Sequence, residues 1–128
     1  MSYEDEKDRI SADLRGEGWA DHTSVERELR AWSRLASEVS AYPATVDDYT
    51  NDLCSRDYLD AVMVRASGGL RSEIDREVAA TDEAFRQGTL EDVGGLLGKF
   101  YRLERKDGWW WRRTPLSGPL ADYLTASD

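Results

Sequence analysis

Residues 23–43 read TSVERELRAWSRLASEVSAYP, and this stretch decides the fold class. Val25, Leu29, Trp32, Leu35, Val39 and Tyr42 recur at spacings of three and four, which is one apolar stripe on an α-helix. Arg27, Arg30, Arg34 and Glu38 fall off the stripe. Thr23 with Glu26 three residues later has the form of a capping box, and Pro43 ends the helix.

The same period extends on both sides. Upstream, residues 3–15 predict a short helix with Ile10 and Leu14 as its apolar pair, its first turns rich in acid and Gly16 and Gly18 ending it. Residues 1–22 are otherwise polar and are expected as a flexible N-terminal arm. Downstream, residues 45–66 predict helix, with Thr45 as cap and Val46, Tyr49 and Leu53 on one face. Ser55 could cap a fresh segment holding Tyr58, Leu59, Val62 and Met63, so one helix and two remain open. Gly68 and Gly69 break it. Residues 70–87 are again amphipathic, with Leu70, Ile74, Val78 and Phe85 facing inward and Gly88 at the C-terminus. Ser117 and Pro119 open a last short helix with Leu120, Tyr123 and Leu124.

Between these helices the period changes. Phe100 to Arg105, then Lys106-Asp107-Gly108, then Trp109 to Arg113 reads as a β-hairpin around an Asp-Gly turn. Strand alternation would put Trp109 and Trp111 on one side and Trp110 on the other. The expected fold is therefore mainly α: a small domain of four to six helices with a C-terminal β-hairpin. The length of 128 residues predicts one domain, able to bury a core without staples.

Charge is uneven. The formal net charge is −9, which argues against duplex nucleic acid as a partner. Yet residues 99–113 carry six bases against two acids, together with five aromatics, and so stand out as a basic aromatic segment. The acidic helices and this segment are expected to meet, at least in part, inside the monomer. Lysine occurs only at positions 7, 99 and 106; this arginine bias points to a GC-rich, bacterial coding sequence. The N-terminus has no apolar signal-peptide core and no apolar run is long enough to span a bilayer, so the cytoplasm is the expected location and no membrane partner is expected.

The chemistry-bearing residues are few. Cys54 is the one cysteine, which rules out an intramolecular disulfide and a multi-cysteine zinc site; it reads as a small apolar filler. His22 is the one histidine and reads as a loop residue, with no marked partner for a nucleophile. Gly94 to Gly98 lacks the Lys-Ser ending of a phosphate loop and reads as a turn. No cofactor is expected, and an enzyme is the less favoured reading. Asp47, Asp48 and Asp52, with Asp57 and Asp60, form an acidic helix surface. Asp48 and Asp52 with Glu73 and Glu77 could alternatively hold Mg²⁺ for a reaction on a phosphorylated small molecule. Trp109, Trp110, Trp111, Arg112 and Arg113 admit three readings: a tryptophan stripe in the core, a protein-binding hot spot, or a stacking surface for a nucleotide or small aromatic ligand.

The segment D-Y-x-N-D-L-x-x-R-D at Asp48–Asp57 resembles a pattern in small uncharacterised bacterial proteins. Asp82 to Arg86 and the W-W-W-R-R-x-P segment at Trp109–Pro115 are similar to later parts of them, so the resemblance spans roughly residues 25–120. It implies no activity. The leading functional expectation rests on the residues alone: a non-enzymatic acidic domain that binds another protein, an immunity- or antitoxin-type inhibitor of a basic partner, since an acidic surface steers a cationic one. The oligomeric state is left open.

Overall fold

A computed structural model describes residues 2–126. The chain runs α1 (Tyr3–Gly16), α2 (Val25–Glu38), α3 (Val46–Arg65), α4 (Gly68–Gln87), β1 (Thr89–Glu91), β2 (Arg113–Pro115) and α5 (Gly118–Ala126). The protein is mainly helical, with five α-helices and one small antiparallel sheet near the C-terminus among the described residues. No helix among the described residues is long and apolar enough to cross a membrane.

α2 sits at the centre and packs on α1, α3 and α4. All six residues of its expected stripe are buried. Its cap is Ser24, whose side chain accepts from the Arg27 amide, and not Thr23. Thr23 is itself buried and its hydroxyl donates to the Ala20 carbonyl at 2.6 Å, which holds the loop before the helix.

Where a flexible arm was expected, α1 packs on α2 and α3. α1 buries Ile10 and Leu14 in the core, and the Ser11 hydroxyl receives the Val25 amide at 3.1 Å. Lys7 and Glu26 form an ion pair that ties α1 to α2.

α3 is one continuous helix. Thr45 and Asp48 close a reciprocal capping box at its start. Ser55 begins no new segment: its hydroxyl donates to buried Glu28 at 2.9 Å, across to α2. α3 buries residues on several sides, among them Tyr49, Leu53, Arg56, Tyr58, Leu59 and Val62. α4 presents Leu70, Ile74, Val78, Asp82 and Phe85 inward. Gly68, expected as a break, is the first residue of α4 and takes a φ of +55°, a conformation that costs glycine little.

The sheet lies elsewhere than the aromatic run predicts. β1 pairs with β2 in the register Thr89–Pro115, Leu90–Thr114 and Glu91–Arg113. The 24 positions from Thr89 to Arg112 form β1, two loops and two short 3₁₀ turns at Leu97–Lys99 and Trp109–Arg112. Trp109 to Arg112 is thus a 3₁₀ turn and no strand. Gly108 explains why a turn signal stood there: a Cβ on it would lie 2.2 Å from the Trp110 ring, so it is needed for close packing of the indole. α5 then covers the turn Val39–Ala41 and β2, burying Leu120 and Leu124.

Candidate functional site

The acidic residues of α3 and the basic aromatic segment do meet. Asp57 Oδ1 accepts from Trp110 Nε1 at 2.9 Å and from Trp111 Nε1 at 2.8 Å, and its Oδ2 receives Lys106 Nζ at 3.3 Å. Two successive indoles can reach one oxygen because a 3₁₀ turn sets neighbouring side chains about 120° apart, where a strand would send them to opposite faces. Asp57 is therefore no free surface carboxylate. Burial assigns Trp110 and Trp111, 3% and 0% exposed, to the core. Trp111 stacks on Tyr101 at 5.3 Å and 9°.

A second polar cluster lies beside it. Buried Asp82 accepts from Arg56 Nε at 2.8 Å, Arg56 Nη2 at 2.9 Å and Trp32 Nε1 at 2.9 Å. The same guanidinium donates to Asp60 at 2.7 Å and lies 4.3 Å above the Trp110 ring. Burial opposes the charge on Arg56, but the Asp82 and Asp60 carboxylates outweigh it and hold its pKa above the ordinary value. Asp60 is exposed, yet it too is committed to an ion pair.

Trp109 is half-buried, with the Arg86 guanidinium 3.9 Å over its ring. With Arg112 and Arg113 it borders an open depression of about 510 Å³. Guanidiniums around an indole suit a flat or anionic group. Two features oppose that use. Glu91 and Asp92 stand on the same wall, offsetting the charge. Arg112 donates to the Leu103 and Lys106 carbonyls, and Arg113 clamps Thr89, donating to its hydroxyl at 2.7 Å and its carbonyl at 3.0 Å. Both arginines thus hold the C-terminal segment in place.

The remaining acids gather at the start of α3. Asp47 is exposed; Asp48 is exposed and engaged in the capping box. Asp52 is half-buried and receives the Tyr42 hydroxyl at 2.7 Å. Burial pushes the Asp52 carboxyl up; the Tyr42 bond draws it down, while the charges of Asp48 and Glu38 add to the rise. Burial, with Asp52 beside it, pushes Tyr42 upward too. The charge of Arg34 works against this rise without cancelling it. Because the fold favours the protonated form, its contribution to stability is present below the ordinary aspartate range and is lost as pH rises through the raised folded value. Asp52→Asn is therefore expected to raise the melting temperature at neutral pH, with the gain fading as pH falls below that range. Thermal unfolding across pH checks this; a variant less stable at neutral pH would contradict it.

Next to these acids, Pro43, Ala44, Val46, Pro119 and Tyr123 line a largely apolar groove of about 500 Å³ with Asp47 on its edge. Tyr123 is 54% exposed there and packs against Phe100, ring centroids 5.4 Å apart. The metal reading finds no such assembly. Glu73 and Glu77 are exposed on α4, Asp48 and Asp52 are engaged as above, and among the described residues no three His, Cys, Asp or Glu side chains gather to hold an ion. His22 is exposed in the loop before α2, and burial pushes the half-buried Cys54 thiol upward.

Sequence reasoning missed the polar residues inside the core. Asp82 and Glu28 each lie on a helix face that is otherwise apolar, and that was their signal. No protein family, curated protein or solved structure matches the chain.

Proposed function

We propose that the protein is a non-enzymatic binding domain for a basic partner protein, in the manner of an immunity- or antitoxin-type inhibitor, and that the partner docks in the groove between the start of α3 and α5. The observation that carries this reading is the pairing of an apolar groove with a negative field. Pro43, Val46, Pro119 and Tyr123 offer surface that water leaves at a gain, and Asp47 stands on the rim. Burial, and after it the charges of Asp48 and Glu38, push the nearby Asp52 carboxyl up, against the Tyr42 hydroxyl bond and the charge of Arg34. A lysine or arginine side chain arriving there relieves that repulsion, whereas an acidic partner adds to it. The net charge of −9 extends the attraction beyond contact distance. Asp57 and Asp60, engaged with Trp110, Trp111, Lys106 and Arg56, do not line this groove.

The test is affinity capture from host lysate with the tagged chain, run beside Asp47→Lys and Tyr123→Ala. Neither side chain serves the buried core, so both variants should fold. The expected result is one stoichiometric basic protein, retained at low salt, released at high salt and absent with both variants. Measured on the purified pair, association should slow about tenfold or more with Asp47→Lys or with salt, as for steered encounters. A captured protein that is acidic, or that binds both variants as well as the native chain, would overturn the reading.

A further inference from the structure

The loop before α2, the first turns of α2 and the middle of α3 enclose a separate cavity of about 280 Å³, at the small end of ligand pockets. Its wall includes Trp19, Arg27, Glu28, Asn51, Asp52 and Tyr58. Tyr58 is fully buried, and its hydroxyl has no hydrogen-bond partner among the described residues. Buried hydroxyls are paired almost without exception, because an orphan forfeits its hydration for nothing. The fold does not require this one: the ring packs edge-on against Trp19 at 5.1 Å and 88°, which a phenylalanine would do equally well.

The wall carries donors on Arg27, Asn51 and His22, and two carboxylates, Glu28 and Asp52. Glu28 is 4% exposed and takes one bond from Ser55 at 2.9 Å and one from Arg27 at 2.6 Å. A carboxylate has about four lone-pair sites, so acceptor capacity is left over. Asp52 adds a second carboxyl, which burial and the charges of Asp48 and Glu38 push up against the Tyr42 hydroxyl bond and the charge of Arg34. Arg27 answers the charge of Glu28 alone. An anion entering here meets two carboxylates. A neutral molecule leaves the field as it is. An ammonium group brings three donors and no acceptor, and an aromatic wall favours a cation.

We propose that this cavity binds a small organic amine, its ammonium group facing Glu28, Asp52 and the Tyr58 oxygen and its carbon skeleton lying against Trp19. This site is distinct from the groove at α5; both readings draw on the charge of Asp52, but the amine test reads Tyr58 and Glu28 and the partner test reads Asp47 and Tyr123.

Calorimetric titration and thermal unfolding of the intact protein test this with putrescine and tyramine as cationic probes. 4-Ethylphenol and 4-hydroxyphenylacetate serve as the neutral and anionic counterparts of tyramine. At least one amine should bind saturably at one site per chain and raise the melting temperature, and neither counterpart should do so. Tyr58→Phe keeps the ring and the fold, and should weaken that amine about tenfold, the usual worth of a hydrogen bond to a charged group. Glu28→Gln should weaken it further. The proposal is overturned if no amine binds saturably, if 4-ethylphenol binds as well as tyramine, or if Tyr58→Phe leaves the affinity unchanged. A Tyr58→Phe protein that is simply more stable, with no amine response in the native chain, would likewise show that the hydroxyl serves no ligand.

Discussion

Asp82→Ala is expected to lower the free energy of unfolding by about 3–5 kcal/mol, the range for breaking a buried ion pair from one side. The carboxylate takes three bonds, two from Arg56 and one from Trp32. Removing it strands a guanidinium whose side chain is 7% exposed, with only the outlying Asp60 to answer its charge. It also orphans an indole N–H in the centre of the helix bundle. The loss comes from what remains behind, so replacing the pair together should restore much of it. Arg56→Met with Asp82→Leu should recover most of the stability lost by Asp82→Ala. Urea unfolding decides this: the single variant shifts the midpoint with the slope retained, and the double variant shifts it back. A loss below about 1 kcal/mol for Asp82→Ala, the scale of a surface pair, would mean that the pair is solvated.

Asp57→Ala should cost about 3 kcal/mol and loosen the C-terminal segment specifically. An orphaned buried donor costs about 1–3 kcal/mol, and here two indoles share one oxygen, so the total falls short of the full sum. Lys106 loses its partner as well, but it is partly exposed and adds little. Asp57→Asn keeps an oxygen acceptor and should lose only about 1 kcal/mol. The check is tryptophan emission together with chemical unfolding. Emission should shift to the red in the alanine variant, as water reaches Trp110 and Trp111. Unchanged emission and stability would remove Asp57 from its anchoring role.

How far these features could be read from the chain depends on how local their causes are. The stripe of α2 was legible because one face is buried and the opposite face is wet, and that contrast repeats every turn. α4 was legible for the same reason, except at Asp82, where a carboxylate takes a core position between Val78 and Phe85. Its partner Arg56 lies 26 residues away, and no spacing rule joins the two. α3 blurred because it is enclosed on several sides; without a single stripe, its continuity past Ser55 could not be told from a break. The aromatic run misled for a further reason. Trp109, Trp110 and Trp111 favour strands intrinsically, but tertiary hydrogen bonds to Asp57 favour a tight turn, and the latter win. The true strands are three residues each, too short to show a period. The acids at the start of α3 were legible as charges. Their neighbour across the groove, Tyr123, was legible only as a core candidate on α5, since which face stays uncovered is a property of the assembled fold.

The reach of the C-terminal segment back to Asp57 also bears on the order in which the molecule assembles. The indole bonds to Asp57 join residues 53 and 54 positions apart, and the Tyr49 hydroxyl meets the Arg113 carbonyl across 64. Contacts so distant along the chain close late, because the entropy of the intervening loop must be overcome before they form. The helix bundle has contacts of the same reach, Trp32 to Asp82 across 50 positions and Ser67 to Glu6 across 61, so helices and aromatic segment close on comparable loops. Residues 89–115 thus act as a clasp in the static sense: they tie the C-terminal part of the chain back to α3 through Tyr49 and Asp57.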